Sequence, residues 1–390
     1  MITANSIIDM IEKQDKVKVV VGMSGGVDSS VAVALLKQQG CQVTGVTMRI
    51  WDGEVSAGEG IRHGCYGPGE AEDIEDACRV AHTLGVPIHV FDLRQEYQHE
   101  VLDYFRREYL AGRTPNPCLK CNRKIKFDTL LRKARDSGID FDNFATGHYA
   151  RVACDESNHR YLLKKARDLS KDQSYFISSL SQEQLGQAIF PLGDYTKDEV
   201  RKMAADFGLD FSSKPESQDF IAGGYSALLT ATPSGPIMDK NGQTLGEHRG
   251  ITSYTIGQRR GLSISATEPL YVTAIDAAQN AIIVGSRKEV YGDDLFASDL
   301  NWIAIEALTQ PARAKAKIRY QHQAAWVTII PWDEGLFYVK FDEPQMAITP
   351  GQAVVFYQED VVLGSGTIER AGTPGQETRA GNNTELKGKR

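Results

Sequence analysis

The stretch Val20-Val-Gly-Met-Ser-Gly-Gly-Val-Asp-Ser-Ser-Val-Ala-Val33 constrains the fold more than any other. An apolar, β-branched run breaks at Ser24-Gly25-Gly26-Val27-Asp28-Ser29-Ser30 and resumes with helical spacing. That order reads as a buried strand, a tight turn and a helix. A glycine-rich turn at such a junction exposes backbone N–H groups at the positive end of the helix dipole, which makes an anion site. The glycines let the backbone approach a ligand closely, and the hydroxyls of Ser24, Ser29 and Ser30 offer further donors. Asp28 would repel a bare phosphate; it suits a Mg²⁺ ion or a helix cap. The Gly-Lys-Ser/Thr of a Walker loop is missing, which argues against γ-phosphate transfer.

The rest of the first half alternates in the same manner. Strands are expected at Val17–Met23, Gln42–Ile50, Pro87–Asp92 and Asn143–Ala150, and helices at Ser29–Gln39, Ala71–Gly85 and Glu96–Leu110. The fold class is therefore α/β, with a doubly wound parallel sheet. Beyond residue 214 glycine and proline become frequent and short β-rich runs replace the helical periods. We expect a nucleotide-binding catalytic domain over 1–214, a small central β-rich domain over 215–290, a C-terminal β-barrel over 291–371 and a disordered polar tail over 372–390. No apolar run is long enough to span a membrane and no signal peptide is visible, so a cytoplasmic setting without membrane partners is expected. Thiols there stay reduced, and the six cysteines are to be read first as core, metal or redox residues.

Ser24–Ser29 resembles the pyrophosphate-binding loop of the ATP pyrophosphatase (PP-loop) family. The resemblance implies cleavage of ATP to AMP and pyrophosphate, adenylating a carbonyl-type oxygen that a nucleophile then displaces. It does not name the acceptor.

The acceptor is suggested by Ala111-Gly-Arg-Thr-Pro-Asn-Pro-Cys-Leu-Lys-Cys-Asn-Arg-Lys-Ile-Lys-Phe127. Its Cys-x-x-Cys lies among Arg113, Lys120, Arg123, Lys124 and Lys126. Cations of this kind favour thiolate and suit a phosphate backbone. The net charge of −7 speaks weakly against a nucleic-acid partner, but clustering of the basic residues offsets it locally. This stretch, with ATGHYAR (145–151), KDQSYF (171–176), GQRRGL (257–262), Arg319-Tyr320 and TPGQAVVFY (349–357), resembles the tRNA-specific 2-thiouridylase (MnmA) family in order along nearly the whole chain. The resemblance implies an ATP-dependent tRNA sulfurtransferase acting on the wobble uridine of the anticodon stem-loop, with ATP, Mg²⁺ and a sulfur donor, either sulfide or a persulfide carrier protein. Gly22, Met23, Ser24, Gly25, Gly26, Val27, Asp28 and Ser29 would hold ATP, with Met48 and Gly147 beside the adenosine. Asn116, Pro117 and Cys118 would lie near the target base. His148, Lys171, Asp172, Gln173, Arg319, Tyr320 and Gln352 would contact tRNA. Cys121 would be the catalytic cysteine, with Cys118 and Asp28 beside it in the chemistry. The base must leave its stack to reach ATP, so a flipped nucleotide is expected.

The chain departs from that family in its cysteines. The family's Asp-x-x-Cys is Cys118-x-x-Cys121 here, Ile221 stands where the second cysteine is expected, and no cysteine follows Cys154. The usual two-cysteine persulfide–disulfide cycle cannot run in its usual form. Cys65 lies on a Gly/Pro-rich strand-to-helix loop, and such loops gather beside the nucleotide. Cys65, Cys118 and Cys121 are thus candidate ligands of a 4Fe-4S cluster whose remaining iron stays open to exogenous sulfide. Alternatives are a redox disulfide between Cys118 and Cys121, and structural zinc completed by His63 or Cys65. Cys41 and Cys78 read as core and Cys154 as a surface thiol. Two other functions stay open at this point: a PP-loop ligase acting on a small metabolite, and a tRNA-binding protein without catalysis.

Overall fold

The structure, a computed structural model, describes residues 16–53, 64–209, 220–221, 225–229, 231–333 and 335–372. The stretch expected to be a disordered tail lies almost wholly outside these residues, as does His63. Among the described residues no helix is long and apolar enough to cross a membrane.

Strand Lys18–Gly22 is the centre of a five-stranded, all-parallel sheet. Gln42–Arg49 and then Ile88–Asp92 flank it on one side, and Asn143–Thr146 and then Ala188–Ile189 on the other. Val19, Val20 and Val21 are sealed from solvent, as a strand covered on both faces requires. Helix Val27–Gln38 is buried continuously from Ser29 to Leu36, because helices Glu70–Thr83 and Lys197–Asp206 pack on it as well as the sheet. The chain reverses direction across the sheet between Lys18–Gly22 and Asn143–Thr146. Ligands of doubly wound folds sit at that switch point, beyond the carboxyl ends of the strands.

Asn143–Ala150 proves to be two elements. The parallel strand stops at Thr146, and Ala150–Asp155 begins an antiparallel hairpin with Arg160–Lys165. The hairpin leaves the first domain and pairs at Lys164 with Val361 of the C-terminal sheet. The helical stretch after Ile88–Asp92 runs from Arg94 to Leu110 with a π-wound middle, Gln98–Leu102.

The central domain is a four-stranded sheet, in the order Tyr271–Asp276, Ala281–Gly285, Gly235–Met238 and Thr244–His248. It has its own core of Ile237, Val272, Ile282 and Val284. In the last domain Tyr291–Trp302 pairs with both Leu336–Met346 and Val361–Ala371, which closes six strands into a barrel around Leu295, Val327, Val339, Phe356 and Ile368.

Candidate functional site

The loop after Lys18–Gly22 is built by its own side chains. Ser29 and Ser30, both buried, turn their hydroxyls inward and donate to the Gly26 carbonyl at 3.2 and 2.8 Å. The Ser29 oxygen in turn accepts from the Ser24 N–H at 3.2 Å. Those two hydroxyls, expected to face an anion, instead lock the turn, and Ser24 alone of the three is exposed. Gly25 has φ +70°, and a Cβ there would sit 2.3 Å from the Asp73 carbonyl oxygen, so only glycine fits. Gly26 caps helix Val27–Gln38 without a side-chain hydrogen bond, which leaves the first-turn amides open to a ligand.

Gly147 follows the neighbouring strand, and a Cβ there would lie 2.6 Å from the Ser29 nitrogen. This close approach lets the switch point form. Asp28, expected at Mg²⁺, is held by three hydrogen bonds. Lys197 Nζ lies 2.8 Å from each carboxylate oxygen, and the Tyr149 hydroxyl donates to Oδ1 at 2.9 Å. Lys197 was not among the expected site residues. Met48, near the end of its strand, is partly buried and packs on the main core of the first domain.

His148 follows Gly147, with Nδ1 2.7 Å from Thr146 Oγ1 and its ring against Phe127 and Phe190. Burial, helped by the nearby Lys126 ammonium, lowers its pKa to about 3, so it is neutral near pH 7.

The thiols are linked to His148 through Lys126, which acts electrostatically on both. Asn116 caps the next helix by accepting the Cys118 N–H at 3.2 Å, with Pro117 at the first helical position. From Cys121 to Thr129 the chain is π-wound. Freed carbonyls are taken by Gln184, whose amide donates to Arg123 O and Phe127 O at 2.8 and 3.1 Å. The wide turn stacks Lys126 near Cys121. Cys65, Cys118 and Cys121 all act electrostatically on Tyr97 and Lys126, so the two loops bring their thiols into one neighbourhood. Each is a free cysteine. Among the described residues no three His, Cys, Asp or Glu side chains are arranged so as to hold a metal ion.

The expected thiolate character is overturned. Burial, reinforced by the neighbouring thiols, pushes Cys118 up to about 12 and Cys121 to about 11. Lys126 pulls the other way and loses, and the remaining basic residues have no such effect. Two buried polar atoms near this cluster lack a hydrogen-bond partner among the described residues: the Tyr97 hydroxyl and Asn122 Oδ1. Tyr97 stacks on Tyr66, at 5.5 Å between centroids. Of the other cysteines, Cys41 is buried, whereas Cys78 and Cys154 are partly exposed.

The barrel clamps the loop that carries the thiols. Gln352 donates to Thr114 O and Pro115 O at 2.9 and 3.3 Å, Pro350 O accepts the Thr114 N–H at 2.9 Å, and Arg113 pairs with Glu369 at 2.8 Å. Arg319 donates to Ala347 O and to Thr349 Oγ1, bracing the clamp from behind. Tyr320 packs on Phe176 with centroids 4.4 Å apart. Asp172, expected to face tRNA, is buried instead and accepts from the Ala166 and Ser174 amides at 3.0 and 3.2 Å. Gln173 accepts the Tyr149 N–H at 2.9 Å. Gln173 thus holds the Tyr149 turn and Asp172 the Ala166 and Ser174 backbone, while Lys171 lies at the start of the same segment.

Three family models match the chain: a tRNA methyl transferase HUP domain over residues 17–222, a tRNA methyl transferase PRC-barrel domain over 226–286, and an aminomethyltransferase beta-barrel domain over 292–368. Curated relatives include the tRNA-specific 2-thiouridylase MnmA of Endomicrobium trichonymphae, 46% identical over 360 residues, which are 91% of this chain and 99% of that protein. A tRNA-specific 2-thiouridylase MnmA 1 of Thermoanaerobacter pseudethanolicus is 48% identical over 361 residues, 90% of this chain and 98% of that protein. Among solved structures, the U34-tRNA thiolase NcsA from Methanococcus maripaludis with its 4Fe-4S cluster has 18% identity and a TM-score of 0.34, covering 58% of this chain and 69% of that one. That likeness is too slight to carry an argument.

Proposed function

The chain belongs to the tRNA-specific 2-thiouridylase (MnmA) family, and on that premise we propose that it thiolates the wobble uridine of tRNA in the cytoplasm by adenylating the C2 oxygen with ATP and Mg²⁺. The observation that carries this reading is the junction of two sites at one switch point. An open helix N-terminus with a tied aspartate lies on one side, and buried thiols under a basic loop lie on the other. A metabolite ligase has no use for the second site, and a catalytically silent tRNA binder has no use for the first.

The open first-turn amides of helix Val27–Gln38, reached over the Gly22–Ser29 loop, hold the phosphates, and Met48 and Gly147 border the adenosine. The flipped uridine enters beside Asn116, Pro117 and Cys118, over the π-wound turn. Adenylation turns the C2 oxygen into a good leaving group; sulfur adds at C2 and AMP departs with the oxygen. His148, Lys171, Arg319, Tyr320 and Gln352 border the path of the anticodon stem-loop. The neutral imidazole of His148 offers a hydrogen bond and no charge.

For the sulfur, we favour a 4Fe-4S cluster on Cys65, Cys118 and Cys121. Three free thiols, the Lys126 cation and the Tyr97 hydroxyl, which has no hydrogen-bond partner among the described residues, share one neighbourhood, and this donor set suits a thiolate-ligated anionic group that accepts a hydrogen bond. When bound, the group would supply an iron open to exogenous sulfide. Holding the group requires Cys65, exposed on its loop, to close on the pair. Two assays test the reading. Pyrophosphate release from ATP should depend on added tRNA; release without tRNA, or none with it, contradicts the thiolation. Anaerobically purified protein should contain iron and acid-labile sulfide; stoichiometric zinc without iron contradicts the cluster.

A further inference from the structure

We propose that Lys197 holds the pyrophosphate end of ATP, and that Asp28 releases it when Mg²⁺ arrives with the nucleotide. The inference deepens the ATP reading above and rests on it. Lys197 is the first residue of helix Lys197–Asp206, and its backbone is fixed from two directions. The Lys197 N–H donates to Asp168 Oδ2 at 3.1 Å, and the preceding Thr196 forms a capping box with Glu199. The side chain is thereby aimed across the fold at the glycine-rich loop. The side chain is 8% exposed, and its ammonium meets both Asp28 oxygens at 2.8 Å and lies 5.8 Å from the centre of the Tyr149 ring.

A phosphate site needs positive charge, and the loop itself holds none. Its amides are dipoles, two of its hydroxyls are turned inward to Gly26, and its one charged residue is the carboxylate of Asp28. A lysine delivered from outside the loop corrects the sign. The pair adds little to folding, because desolvation of the buried ammonium offsets much of its attraction to the half-buried carboxylate. Its value is in exchange. Mg²⁺ prefers carboxylate oxygen, and an ammonium freed from that carboxylate is a compact donor for phosphate oxygens. When MgATP enters, Asp28 turns to the metal and Lys197 to the β- and γ-phosphates, so neither charge is left unpaired. Tyr149 stays on Asp28 Oδ1 and limits how far the carboxylate moves.

The test is equilibrium binding of ATP, AMP and inorganic pyrophosphate, each with Mg²⁺, to the full-length protein and its variants. K197M should weaken ATP and pyrophosphate at least about tenfold and leave AMP within about twofold, and K197R should recover part of the loss. Because K197M strands a carboxylate, D28N/K197M is measured beside it. The double variant should regain thermal stability without regaining the preference for ATP over AMP. Equal weakening of ATP and AMP in K197M, or none, overturns the role of Lys197. A wild-type protein that binds ATP no better than AMP overturns the loop reading itself, and this inference with it.

Discussion

Ile221 pairs with Tyr66 in a parallel bridge, with the Tyr66 N–H donating to Phe220 O at 3.1 Å. The position where the chain lacks an expected thiol therefore lies alongside the residue that follows Cys65. A thiol missing from one loop has a counterpart on its neighbour.

Cysteine at 221 should accordingly substitute for cysteine at 65. C65S should lose most bound iron and most thiolation while keeping ATP binding, and C65S/I221C should regain a substantial part of both. Iron content, acid-labile sulfide and 2-thiouridine yield are the measurements. C65S with full iron and full activity removes Cys65 from the account.

The buried thiols should react late on a pH scale. Burial holds Cys118 near 12 and Cys121 near 11, so both stay protonated at pH 8. In metal-free, reduced protein, alkylation at these positions should be slow at pH 8 and keep rising above pH 10, and K126M should slow it further. Rates that level off near an ordinary thiol value contradict this environment.

His148 should make the protein sensitive to mild acid. Its folded pKa of about 3 lies below the ordinary value of 6.5. The unfolded chain therefore takes up the proton first, and stability present above pH 6.5 is lost as pH falls toward 3. The ceiling is about 5 kcal/mol. Urea unfolding of the wild type should weaken through this window relative to H148Q; parallel profiles for the two proteins contradict the assignment.

Gly351 should set the height of the thiol loop. It has φ +88°, and a Cβ there would lie 3.1 Å from the Thr114 backbone. G351A should cost about 1–2 kcal/mol and slow thiolation several-fold, with ATP affinity unchanged. Unaltered turnover would show that the barrel does not position this loop.

The parallel sheet was legible because its signals are local: β-branched runs, helical spacing and a turn only glycine can make. The barrel's first and last strands were not. Tyr291–Trp302 carries Gly292, Asp293 and Asp294, and Val361–Ala371 carries Gly364 and Gly366, where a Cβ would meet Trp302 and Leu300 at under 3 Å. Composition there reads as loop, and only closure of the barrel makes it strand. Lys197 escaped notice for a related reason. Its partner is 169 residues away, and Thr196-Lys-Asp-Glu reads simply as a capped helix start. The thiol chemistry was misjudged because neighbours along the chain are visible and burial is not. Five cations stand within eight residues of Cys118 or Cys121, yet only Lys126 lies where it acts on both.

On this reading the chain places sulfur on tRNA at the expense of ATP. Mass analysis of nucleosides in tRNA from cells lacking its gene tests this most directly. Wobble 2-thiouridine should disappear, and an oxygen-bearing uridine should replace it. Undiminished 2-thiouridine, in cells with no second gene of this family, would contradict it.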